Sequence, residues 1–79
     1  MTTNKTKQLT AQQLAIKLQK MNCTIQNYVS RGGGFASARW VGFSVRLEEM
    51  KDSQPRSVWI EACDILGFHA DVNVGDMAC

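Results

Sequence analysis

At 79 residues the chain has room for one domain around one small core. Its 44% hydrophobic and 20% charged residues exclude a disordered polyelectrolyte, and no apolar run approaches the roughly 18–20 residues of a membrane span. The net charge of +2 conceals a segregation: residues 1–47 hold seven cations and no carboxylate, a balance of +7, while residues 48–79 hold two cations against seven carboxylates, a balance of −5.

A basic half with no acid beside it suits a polyanion, usually nucleic-acid phosphate, and would also suit an acidic protein surface. The N-terminal residues have no apolar core of the kind a secretory leader needs. Cys23, Cys63 and Cys79 are odd in number and contain no Cys-x-x-Cys pair, which reads as reduced thiols in a cytoplasmic protein. Together with His69 they match no zinc-ligand spacing, so neither metal nor cofactor is expected.

Residues 1–8 are polar and are expected to form a flexible basic tail carrying Lys5 and Lys7 ahead of a single α+β domain over 9–75. A first helix is predicted over about 10–21. Thr10 and Gln13 form a T-x-x-Q capping box, Leu9 and Leu14 occupy the positions of a hydrophobic staple, and Leu14, Leu18 and Met21 make an apolar stripe. Asn22 can end it. Segment 23–31 is ambiguous: its Thr, Ile, Tyr and Val favour a strand, yet Asn22 is a good N-cap and Gly32 a good helix stop.

Gly32-Gly33-Gly34 reads as a turn leading into a strand over 39–47, where Val41, Phe43, Val45 and Leu47 alternate onto one face. A second helix is predicted over about 54–66, with Pro55 in its first turn and Gly67 as a left-handed cap. Residues 70–74 alternate as a short strand completing an antiparallel sheet with 39–47, and 76–79 should fray.

Leu14, Ala15, Leu18, Thr24, Ile25 and Tyr28 match the core pattern of a helix pair, so that residues 11–29 resemble the helix-turn-helix of DNA-binding regulators. Gln19 stands where that family usually has Gly. The resemblance implies that Thr24, Gln26, Asn27, Ser30 and Arg31 project outward from a recognition helix. Asn and Gln can pair with adenine and Arg with guanine. Lys17, Lys20, Arg31 and Arg39 would dock phosphates, duplex DNA would be the partner, and a module this small could act as a homodimer. Such a regulator is of the size phages and other mobile elements encode.

The competing expectation makes 24–30 a third strand. Tyr28, Trp40 and Arg46 would then line an open sheet face with Arg31 and Phe35 at a hairpin tip, a surface for unpaired bases or for a host or effector protein. On that reading the chain is a small inhibitor or adaptor, such as a phage anti-defence protein, or uses its acidic half to imitate nucleic acid. Catalysis is not expected: His69 is the sole histidine, Cys63 reads as a small core residue, and the three glycines lack the Lys-Ser/Thr of a P-loop.

Overall fold

The computed structural model describes residues 8–78, which form four helices: α1 (Ala11–Ser30), α2 (Ala38–Asp52), α3 (Arg56–Leu66) and α4 (Val74–Ala78). No strand occurs among them, so the expected α+β fold with an antiparallel sheet is corrected to an all-helical one. None of these helices is long and apolar enough to cross a membrane.

α1 starts where local chemistry places it. The Gln13 amide donates to Thr10 Oγ1 (3.1 Å) and the Thr10 amide to Gln13 Oε1 (3.0 Å), satisfying two amides that helix geometry leaves free. The helix then runs through Asn22 without a break. The stripe Leu14, Leu18, Met21 and Ile25 continues to Tyr28 at spacings of four, three, four and three, and burial of Ile25 outweighs the strand propensity of its neighbours. Residues 23–30 are therefore neither a third strand nor a separate recognition helix. They are the second half of α1, and the reversal of a helix-turn-helix does not occur between Gln19 and Asn22.

The predicted strand 39–47 is instead the body of α2. Phe43 and Leu47 satisfy a period of two, yet with Trp40 and Met50 they also make a stripe at i, i+3, i+7 and i+10. The helical choice buries Phe43 and Leu47 and leaves Val41 and Val45 outside. Ser37 caps this helix, its Oγ accepting from the Trp40 amide at 3.2 Å. Residues 70–74 do not pair as a strand either: 70–71 turn, and Asn73 and Asp76 exchange side-chain-to-amide bonds of 3.1 and 3.3 Å that open α4. The expected fraying from Asp76 onward gives way, as far as Ala78, to that short helix, which buries Met77.

α1 is the central element, packed most extensively on α3 and also against α4 and α2. The core joins Leu14, Leu18, Met21 and Ile25 to Phe43 and Leu47, to Trp59, Ala62 and Cys63, and to Val72, Val74 and Met77. α3 ends as expected at Gly67, whose φ of 81° is left-handed and cheap only for glycine.

The loop between α1 and α2 is fastened to α1 by Tyr28. Its hydroxyl donates to the Gly34 carbonyl (2.7 Å) and shares a hydrogen bond with Ser37 Oγ, while its ring lies over Gly33. A Cβ on Gly33 would overlap that ring, and the tethered hydroxyl stops the ring from swinging away. Gly33→Ala should cost about 1–3 kcal/mol in urea denaturation. Gly34→Ala, where a Cβ meets open space, should change little.

Candidate nucleic-acid interface

An α-helix repeats every 3.6 residues, so positions spaced four, three, four and three apart share a face. About 100° around α1 from its buried stripe stand Gln13, Lys17, Lys20, Thr24, Asn27 and the C-cap residue Arg31 in that register, every one exposed and none acidic. Five of these are sequence-predicted contacts; Gln13 is an addition, hidden in the sequence by its capping role. At about 1.5 Å per residue the row from Gln13 to Arg31 is about 27 Å long.

At its C-terminal end this face borders an open groove of about 550 Å³ between α1, the glycine loop and α2. Thr24, Asn27, Arg31 and Arg39 line it, with Tyr28 and Phe43 contributing aromatic surface. The fold therefore brings Arg39 beside Arg31, eight positions away in sequence. Arg46, two helical turns past Arg39 on α2, is exposed in the same register.

Two electrostatic features set this region apart. First, Lys17, Lys20, Arg31, Arg39 and Arg46 make no ion pair among the described residues. The two ion pairs there, Lys51–Glu48 at 3.6 Å and Arg56–Asp71 at 3.3 Å, both lie within residues 48–71. Among the described residues no ion pair joins the basic half to the acidic half. Second, Arg39 occupies the first turn of α2, which contains no acid. A helix N-terminus carries about half a positive charge and normally favours carboxylates, so a cation there is locally unfavourable by about 0.3–1 kcal/mol. An anion in the groove would relieve it.

The remaining predicted contacts are distributed differently. Gln26 is drawn away from the basic row, its Nε2 donating to the Met77 carbonyl of α4. Ser30 lies off the row, with its hydroxyl on the Asn27 carbonyl (3.0 Å). Thr24 Oγ1 donates to the Lys20 carbonyl (3.0 Å) while keeping its place on the face. No open sheet exists to display Tyr28, Trp40 and Arg46. The aromatic residues nevertheless gather: Tyr28 stacks with Trp40 (6.3 Å between centroids) and meets Phe43 edge-on (5.3 Å), and Phe35 meets Trp40 edge-on (4.8 Å). Arg46 is not part of that cluster.

Burial pushes the Cys63 thiol upward, with Lys51 and Arg56 pulling it partly back, so this sulfur is held protonated rather than as a nucleophilic thiolate. No three His, Cys, Asp or Glu side chains among the described residues are grouped to hold a metal ion. No protein-family model, curated protein or solved structure matches the chain.

Proposed function

We propose that this protein is a non-enzymatic DNA-binding protein that lays α1 along duplex DNA. One observation carries the reading: the cations from Lys17 to Arg46 are all exposed and make no ion pair among the described residues, and Lys17, Lys20, Arg31 and Arg39 lie on one acid-free surface. The major groove of B-DNA, about 12 Å wide, admits a helix. On that footing Lys17 and Lys20 each neutralise a phosphate along α1, and Arg31 and Arg39 each take one where the groove meets the α2 N-terminus. Asn27, between them on the same face, is the side chain best suited to a base edge. Regulation of a phage or other mobile element is the role this binding would serve in the cytoplasm.

The deciding experiment is fluorescence anisotropy with a random-sequence duplex, titrated from about 50 to about 200 mM salt. Four neutralised phosphates give an expected slope of about −3 to −4 in log K against log salt, at roughly 0.9 per phosphate. No binding at the lowest salt would overturn the reading.

A protein partner is the second reading, favoured by the exposure of Phe35 at 63% and of Val41 and Val45 on the outer face of α2. Large apolar side chains in water are common singly but are informative when adjacent. An inhibitor or adaptor would use that surface, and a duplex titration without binding would direct attention there.

A further inference from the structure

Cations account for only part of what lines the groove between α1, the glycine loop and α2. Alongside Arg31 and Arg39, Tyr28 and Phe43 give it an aromatic wall. That wall is fixed before any ligand arrives. Phe43 is anchored in the core at 7% exposure and meets Tyr28 edge-on, and the Tyr28 hydroxyl is tied to the Gly34 carbonyl. At about 550 Å³ the groove falls within the roughly 300–1,000 Å³ of small-molecule sites. Of its uncharged polar groups, the Tyr28 and Thr24 hydroxyls already donate to backbone carbonyls, whereas the Asn27 carboxamide makes no hydrogen bond among the described residues.

A paired duplex leaves this wall unused. Its bases are stacked inside, so it presents phosphates, sugars and base edges. An unstacked base supplies what is missing, an apolar face and a hydrogen-bonding edge on one rigid ring. We propose that the groove receives one unpaired nucleotide of the bound DNA. The inference rests on the DNA reading and deepens it by naming what enters the site. Arg31 and Arg39 take the phosphates on either side of that nucleotide, one each, and its nucleoside lies over the groove between them. The base packs on Tyr28 and Phe43, and the Asn27 carboxamide pairs with its edge, for which adenine is well suited. A bulged nucleotide has no base pair to give up, so it enters at less cost than a paired one. A free nucleoside monophosphate brings a single phosphate and satisfies one arginine only, so the ligand is part of a strand.

The test is fluorescence anisotropy of the full chain with three versions of one labelled duplex: fully paired, carrying a single bulged deoxyadenosine, and carrying an abasic residue in that bulge. The adenosine bulge should bind about tenfold tighter than the paired duplex, and the abasic bulge to within about twofold of it, because stacking on an aromatic wall requires the base. The salt slope should be the same for all three, since the phosphate contacts do not change. Phe43→Leu keeps an apolar side chain in the core but removes the ring from the groove, and should cut the bulged-to-paired affinity ratio to under about threefold, with circular dichroism reporting the helices. Asn27→Ala, at an exposed position, should abolish discrimination between a bulged adenosine and a bulged thymidine. A ratio near one for the unaltered chain, with the paired duplex still bound, would overturn this inference and leave the DNA reading standing; no binding to any of the three would overturn both. An abasic bulge bound as tightly as the adenosine bulge would overturn it by showing that bending, rather than a base, is recognised. Displacement of the duplex by an equal concentration of free deoxyadenosine monophosphate would overturn it by making the groove a site for soluble nucleotide.

Discussion

Trp59→Ala should lower the free energy of unfolding by about 3–5 kcal/mol, the range for deleting a large buried aromatic side chain. A chain of this length has roughly 4–12 kcal/mol in total, so this single truncation threatens the folded state. Trp59 is 0% exposed and sits on α3, the helix most extensively packed on α1. Its indole N–H also donates to the Ala70 carbonyl at 2.6 Å, tying the α3–α4 connection to the core. The two contributions separate by substitution. Trp59→Phe retains much of the ring volume but leaves that carbonyl without its donor, an expected cost of about 1–3 kcal/mol. Urea denaturation followed by circular dichroism gives both values. If Trp59→Ala cost under about 1 kcal/mol, Trp59 would not be the centre of the core.

The elements that the sequence shows plainly are those specified by neighbours. Thr10 and Gln13 form their capping box within one turn, and Gly67 stops α3 because a left-handed residue is needed one step past its end. The elements it disguises are those decided by distant packing. In α2, Phe43 and Leu47 fall on the shared positions of a two-residue and a 3.6-residue repeat, so alternation alone reads as a strand. What breaks the tie is Trp40 and Met50 at the ends of the stripe, together with a Ser37 cap whose value appears only once the helix exists. Residues 70–74 mislead in a related way. Val72 and Val74 are both buried, as alternation predicts, but on a turn and the start of a short helix rather than on a strand.

The candidate site divides along the same line. The absence of acid before Glu48 is a property of composition and survives folding, because neither ion pair among the described residues reaches across the two halves. Which polar side chains face the ligand is a matter of helix phase. Reading 23–31 as its own helix left that phase open. Once α1 is continuous, Lys17, Lys20, Thr24, Asn27 and Arg31 align, whereas Gln26 turns toward Met77, 51 positions away. No local signal marks that contact. Gly33, by contrast, has a clue nearby in Tyr28, five residues before it, although a glycine run reads first as a turn.

Replacing Arg31 and Arg39 together with alanine should produce the largest loss of DNA binding. Each removes one phosphate contact, so the salt slope should fall by about 2 and affinity by about 10- to 100-fold near physiological salt, equally for every duplex sequence. The loss should exceed that from Lys17→Ala and Lys20→Ala combined, because Arg31 and Arg39 converge in one groove at the α2 N-terminus, where the helix dipole adds to their field. Asn27→Ala should behave differently. It keeps the salt slope and instead erodes preference between sequences by about 1–3 kcal/mol at the base it reads. Gln26→Ala provides the internal control: with its amide on the Met77 carbonyl, its removal should lower stability by about 1 kcal/mol and leave DNA affinity unchanged. Anisotropy titrations of the four variants at two salt concentrations distinguish these outcomes. If Gln26→Ala weakened binding as much as the arginine pair, the face assigned to α1 would be the wrong one, since Gln26 lies off the row of α1 that leads to Arg31.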